Sequence, residues 1–152
     1  MLSLDALYSF PLFGGLDAEA LAALSAAGEI VTAEPDEWLF EEGEVADAFY
    51  IVLSGAIELR MAINADRIDL ADLERVITGE VVGWSALIRP YRYTLSAVAV
   101  EDTRLLKLDA ARVRALMERD PVVGYKLMGQ MAETVRQRLT AMHTRFVSLI
   151  AV

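Results

Sequence analysis

Between Gly79 and Ala99 the chain reads GEVVGWSALIRPYRYTLSAVA, a segment that opens like an anion-cradling loop and closes like a buried strand. Gly83 permits a close backbone approach. Ser85, Ala86 and Leu87 can form a short helical turn whose free N–H groups carry a partial positive charge. Arg89 and Arg92 supply cations, while Ser85, Thr94 and Ser96 supply hydroxyls. Holding a small anion with backbone N–H groups and a guanidinium is the chemistry such a segment can do. Two rings interrupt it: Trp84 and Tyr93 stand where an acid and a base would complete the pocket. An indole N–H only donates, so Trp84 cannot accept a hydrogen bond from a ligand hydroxyl.

Other chemistries lack their residues. There is no cysteine, which removes disulfides, thiolate nucleophiles and cysteine-held metal clusters. His143 is the only histidine, so a histidine-built metal site is excluded, and its place beside Met142 reads as a solvated helix flank. The carboxylates of EPDEW and FEEGE fall at turns, and Ser85 has no general base near it in sequence. These features point away from an enzyme. The net charge of −9 argues against binding a polyanion across the surface. From residue 121 onward Lys126, Arg136, Arg138 and Arg145 face Glu133 alone, a mildly basic helix on an acidic body rather than a nucleic-acid footprint.

The elements that must position this segment fall into three sections of what reads as one domain over 1–152, a length able to bury its own core. Residues 1–28 are helical, with Asp17 as an N-cap and a glycine stop at Gly28. Residues 29–108 alternate short apolar runs with turn signals about every ten residues, among them the turn NAD at 64–66 and the strand RIDLADLERVI after it. That rhythm favours a double-stranded β-helix, or jelly roll, over a parallel sheet, giving an α+β but mainly β fold. Residues 109–152 are helical again: Asp109 caps a short helix, and Asp120-Pro121 opens a long one.

In that last helix Tyr125, Met128, Ala132, Val135, Leu139, Met142, Phe146 and Leu149 alternate spacings of three and four, a heptad seam. A helix over 122–150 would run about 42 Å, too long for a small roll to cover. Its first half is expected to pack on the roll as ordinary core. Its second half needs a partner, and a copy of itself through Val135, Leu139, Met142, Phe146 and Leu149 is the simplest one. No apolar run approaches the roughly 18–20 residues that span a bilayer, and Asp5 breaks any signal-peptide pattern, so a cytoplasmic chain without membrane or nucleic-acid partners is expected.

Three separated segments carry a family resemblance: FEEGEVADAFYIVLSGAIEL at 40–59, GEVVGWSALI at 79–88 and AVEDTRLLKLD at 99–109. Their order and spacing resemble the cyclic-nucleotide-binding domain of the catabolite-activator (Crp/Fnr-like) family, over almost the whole chain. The resemblance implies a regulatory sensor with a phosphate-binding cassette, a short cassette helix and a long C-terminal dimerisation helix. In the family a helix-turn-helix domain, a channel or a kinase adjoins this unit, and this chain holds none of these, so a protein partner in trans is expected. The ligand implied is a cyclic nucleotide, cyclic AMP or cyclic GMP, with no other cofactor.

By the same resemblance Gly83, Ser85, Ala86 and Leu87 keep the start of the cassette, while Trp84 stands in the place of the ribose-binding Glu. Counting back from AVEDTRLLKLD puts Ser96 at the final hydroxyl position and Tyr93 in the place of the phosphate-binding Arg. A one-residue shift recruits Arg92 instead. Thr134 and Arg138, midway along the long helix, are expected to approach the pocket. Three readings of it stay open: a site for another small anion or ring, weak cyclic-nucleotide binding through Arg92, and a pocket plugged by Trp84 and Tyr93 in a constitutive dimeric interaction module.

Overall fold

The structure, a computed structural model, describes residues 2–63 and 70–151. The expected turn at 64–66 and the start of the strand after it lie outside the described residues. Three short helical pieces lead in: α1 (Leu4–Tyr8), a 3-10 turn (Pro11–Phe13) and α2 (Ala18–Ala26). Asp17 caps α2 as expected, accepting from the Ala20 N–H at 2.8 Å. Gly28 is no helix stop; Ala27 ends α2, and Gly28 opens the first strand. It does not take the positive φ of a helix-stopping glycine, and in the strand a Cβ there would crowd Leu106 Cδ1 at 2.9 Å.

Eight strands follow: β1 (Gly28–Ala33), β2 (Trp38–Phe40), β3 (Ala48–Ser54), β4 (Ile57–Ala62), β5 (Leu70–Val76), β6 (Val81–Val82), β7 (Ser96–Ala99) and β8 (Thr103–Asp109). They form two four-stranded sheets, ordered β1-β8-β3-β6 and β2-β7-β4-β5, with every pairing antiparallel. This is the expected jelly roll. Phe49, Ile51 and Leu105 from one sheet and Ile57, Leu59 and Ala97 from the other belong to one buried core. Strand β3 is apolar without alternation, AFYIV, because it is buried on both faces. It pairs with β6 at Tyr50↔Val82 and Ile51↔Val81, so the cassette starts from the edge strand of this sheet, alongside β3.

The C-terminal section is α3 (Ala110–Arg119) and α4 (Pro121–Ile150). Asp109 caps α3 by accepting from the Ala111 N–H. Asp120 ends α3 and caps α4, accepting from the Val123 N–H, so no linker separates the two helices. At 30 residues α4 is about 45 Å long. Its first half docks on the body through Val123, Gly124, Leu127 and Met131. Those residues, not the heptad seam, supply the core face: Tyr125 at the head of the seam is 83% exposed. The inward face follows a separate i, i+4, i+8 row, Val123, Leu127 and Met131, and of the seam's first half Met128 still packs against the core beside that row.

Gly55 joins β3 to β4 at φ 92, a left-handed conformation that few side chains adopt. A Cβ there would lie 2.5 Å from both the Asp102 carbonyl and Thr103 Oγ1, and that hydroxyl donates to the Glu101 carbonyl at 2.8 Å. Gly55→Ala is therefore expected to lower stability by about 1–3 kcal/mol, read from the urea midpoint.

Candidate functional site

Gly83 sits at φ 83 and caps a 3-10 turn over Trp84–Leu87, so the short cassette helix forms where the sequence places it. Arg114 of α3 pins the far end, donating to the Ala86 carbonyl while its guanidinium lies 4.2 Å over the Tyr91 ring. Ser85, Ala86 and Leu87 are all buried, and Arg89 is exposed.

Past Tyr91, which sits at a left-handed φ of 58, the chain bridges to the loop after β2 at Val45↔Arg92: the Ala46 N–H donates to the Tyr91 carbonyl, Gly43 to the Tyr93 carbonyl at 2.7 Å, and the Tyr93 N–H to the Glu44 carbonyl. Alternation along an extended chain puts neighbouring side chains on opposite faces. Tyr93 points in and is 4% exposed. Arg92 points out, where its Nη1 donates to the Gly43 carbonyl at 2.9 Å. The outward cation braces the loop.

The Tyr93 ring stacks on Phe40, with centroids 3.7 Å apart and planes 10° from parallel, and its hydroxyl donates to the Ala48 carbonyl. Phe40 also stacks on Tyr50. Both rings press on the glycine: a Cβ at Gly83 would lie 3.2 Å from Phe40 Cε2 and from Tyr93 Cε1. Burial, reinforced by Tyr50, holds the Tyr93 phenol well above the usual tyrosine range.

From the other side Arg138 of α4 reaches in, donating to the Val81 carbonyl with Nε 3.6 Å from Glu74 Oε2. Its side chain is 14% exposed. Burial lowers the pKa of this guanidinium, and Glu74 and Glu80 work against that. Trp84 is half-buried on the rim. Together with Leu59, Ser85, Thr94 and Leu95, these groups surround a space of about 30 Å³, enough for one or two water molecules.

The remaining expected residues lie elsewhere. Thr134 donates to the Gln130 carbonyl within its own helix and does not border this space. Ser96 is buried and accepts from the Glu42 N–H at 3.0 Å. Leu87 borders a different hollow, between the cassette helix and the α3–α4 corner. Thus Gly83, Trp84, Ser85, Tyr93, Thr94 and Arg138 are brought together, while Arg92, Ser96 and Thr134 are not. Phe40, Leu59 and Leu95, with Glu74 behind Arg138, are the members that sequence reasoning missed. Phe40 reads as an ordinary strand residue, and nothing in the linear sequence pairs Glu74 with a residue 64 positions on. No cluster of metal-ligating side chains occurs among the described residues, and no helix of theirs is long and apolar enough to cross a membrane.

The sequence pattern of the family described as "Cyclic nucleotide-binding domain" matches residues 30–120. The chain belongs to this family. It is 31% identical over 131 residues to the cyclic AMP receptor protein of Thermus thermophilus, covering 84% of this chain and 58% of that one. A CRP-like cAMP-activated global transcriptional regulator of Mycobacterium tuberculosis is 24% identical over 126 residues, 83% of this chain and 55% of its own. Among solved structures, a cyclic-nucleotide-binding-type protein from Geobacter metallireducens superposes with a TM-score of 0.83 at 29% identity, over 91% of this chain and 99% of that one. The chain spans between 24% and 58% of the length of the curated relatives it matches. The fold is thus one shared with regulatory sensor domains.

Because folded Tyr93 keeps its proton above the pH at which an unfolded tyrosine loses one, near 10, stability is full below that pH and falls as pH rises past it. Urea midpoints measured between about pH 9 and 11 are expected to fall less steeply for Tyr93→Phe than for the parent. At neutral pH the same variant is expected to lose about 1–2 kcal/mol, with the Ala48 carbonyl left unpaired.

Proposed function

We propose that this chain is a regulatory interaction module of the cyclic-nucleotide-binding type whose cassette is filled by its own side chains, so that it presents its C-terminal helix without a nucleotide. One observation carries the reading: the Phe40–Tyr93 stack leaves about 30 Å³ inside the cassette. Pockets for ligands of this size class run to several hundred Å³. Opening the site would require withdrawing a buried ring and breaking its bond to Ala48. A phosphate entering it would meet a phenol where the family resemblance places a guanidinium, losing a charge-assisted pair of about 1.5–3 kcal/mol. Trp84 likewise offers no acceptor for a ribose hydroxyl.

The output surface in this reading is α4. Leu139, Met142, Phe146 and Leu149 are exposed along one stripe with Val135 half-buried at its head, which is what a helix awaiting a twin in a homodimer displays. A protein partner in trans would dock on the same paired helices.

Calorimetric titration with cyclic AMP and cyclic GMP is expected to give no binding heat up to millimolar ligand; saturable heat at micromolar ligand would return the chain to the class of cyclic-nucleotide sensors. Restoring the family's pattern with Trp84→Glu and Tyr93→Arg together is expected to create measurable affinity for one of the two nucleotides. For the helix, Leu139→Asp with Phe146→Asp is expected to give a monomer by light scattering, and an unchanged dimer would exclude the stripe as the contact.

A further inference from the structure

We infer that Arg138 and Arg145 form a two-point clamp that ties the second half of α4 to the rim of the roll and fixes which face of the helix is turned outward. After Met131 no side chain of α4 is fully buried, so the apolar packing that anchors its first half has run out. Among the described residues, the hydrogen bonds from this half to the roll come from two guanidiniums. Arg138 donates to the carbonyl of Val81, on the strand that leads into Gly83, and Arg145 donates to the carbonyl of Leu73 in β5. Glu74, next to Leu73, faces Arg138 across 3.6 Å. The acceptors therefore sit on the edge strands of the two sheets, β5 and β6.

The spacing is what a clamp needs. Residues seven apart on a helix lie within about 20° of each other, so both guanidiniums leave α4 on one side, two turns apart. Two attachments at that separation oppose rotation as well as lifting, which one could not. The apolar stripe of Val135, Leu139, Met142, Phe146 and Leu149 is centred about 70° further round. Holding the clamp side against the roll therefore keeps the stripe on the flank of the helix, beside the roll rather than under it. Arginine suits the first point because its planar fork can satisfy a carbonyl and a carboxylate in different directions, which a buried ammonium does less well. A guanidinium so nearly buried is tolerable only with such partners, and Arg138 has them. The clamp stands whether or not the cassette accepts a ligand, since its acceptors are Val81, Leu73 and Glu74 rather than the Phe40–Tyr93 pair.

Hydrogen–deuterium exchange on the full chain tests it. Arg138→Met keeps the aliphatic stem and removes the donors; amides of residues 132–150 are then expected to exchange about ten-fold faster or more, while β3 and β8 keep the parent's protection. Arg138→Lys should retain part of the protection. Arg145→Ala, an exposed position that cannot disturb the core, should quicken only the last turns, about 142–150. Parent-like rates over 132–150 in both Arg138→Met and Arg145→Ala would overturn the clamp. So would an Arg138→Met variant that loosens β3 and β8 as much as α4 while Arg145→Ala changes nothing.

Discussion

A tyrosine with no water around it has two demands, contact for its ring and an acceptor for its hydroxyl, and Tyr93 has both met inside the roll. The ring lies flat on Phe40, and the hydroxyl reaches the Ala48 carbonyl at the start of β3. Much of the surrounding geometry follows from this one placement. Gly83 takes a left-handed φ of 83 that few side chains adopt, and a Cβ there would press on both rings at 3.2 Å. The loop after β2 is drawn against residues 91–93, since the backbone that carries Tyr93 inward bonds to Gly43 and Glu44. Arg92, one residue away on an extended chain, is forced to the outer face.

The architecture itself was largely legible in the sequence. Turn signals about every ten residues, with apolar runs between them, are enough to specify a roll, and Asp17, Asp109 and Asp120 cap the helices they were expected to cap. Gly28 was misleading because a helix stop and a crowded strand start both favour glycine, and only the neighbouring Leu106 decides between them. The heptad seam was legible as a pattern but not as a direction. Both the row Val123, Leu127, Met131 and the seam beginning at Tyr125 are apolar, and the sequence does not say which one meets the roll.

The candidate site was legible in frame and less so in content. Gly83, Trp84, Ser85, Tyr93 and Arg138 converge as expected, because the cassette is nearly contiguous and helix periodicity puts Arg138 on a definite side. Phe40 was not legible as Tyr93's partner, since the two are 53 positions apart and meet only through the loop that follows β2. Ser96 and Thr134 illustrate the opposite error. A hydroxyl in a pocket-like segment looks available until the backbone group it serves is known, here the Glu42 N–H and the Gln130 carbonyl.

The joint at Asp120 gives the molecule a mechanical property. One residue closes α3 and opens α4, and Gly124 lets the second helix press on the Met117 backbone, so the corner has little slack. Arg114 ties α3 to the end of the cassette helix through the Ala86 carbonyl. The arrangement is a lever with a short arm at the cassette and a long arm about 45 Å in length. With the Arg138 and Arg145 bonds to the roll in place the long arm is held; once they are broken, a tilt of only about 5° at the corner would carry the far end of α4 some 4 Å sideways, roughly one strand spacing. The two guanidiniums therefore decide whether a small adjustment beside the cassette is absorbed or is magnified at the distal tip, where Phe146 and Leu149 are displayed.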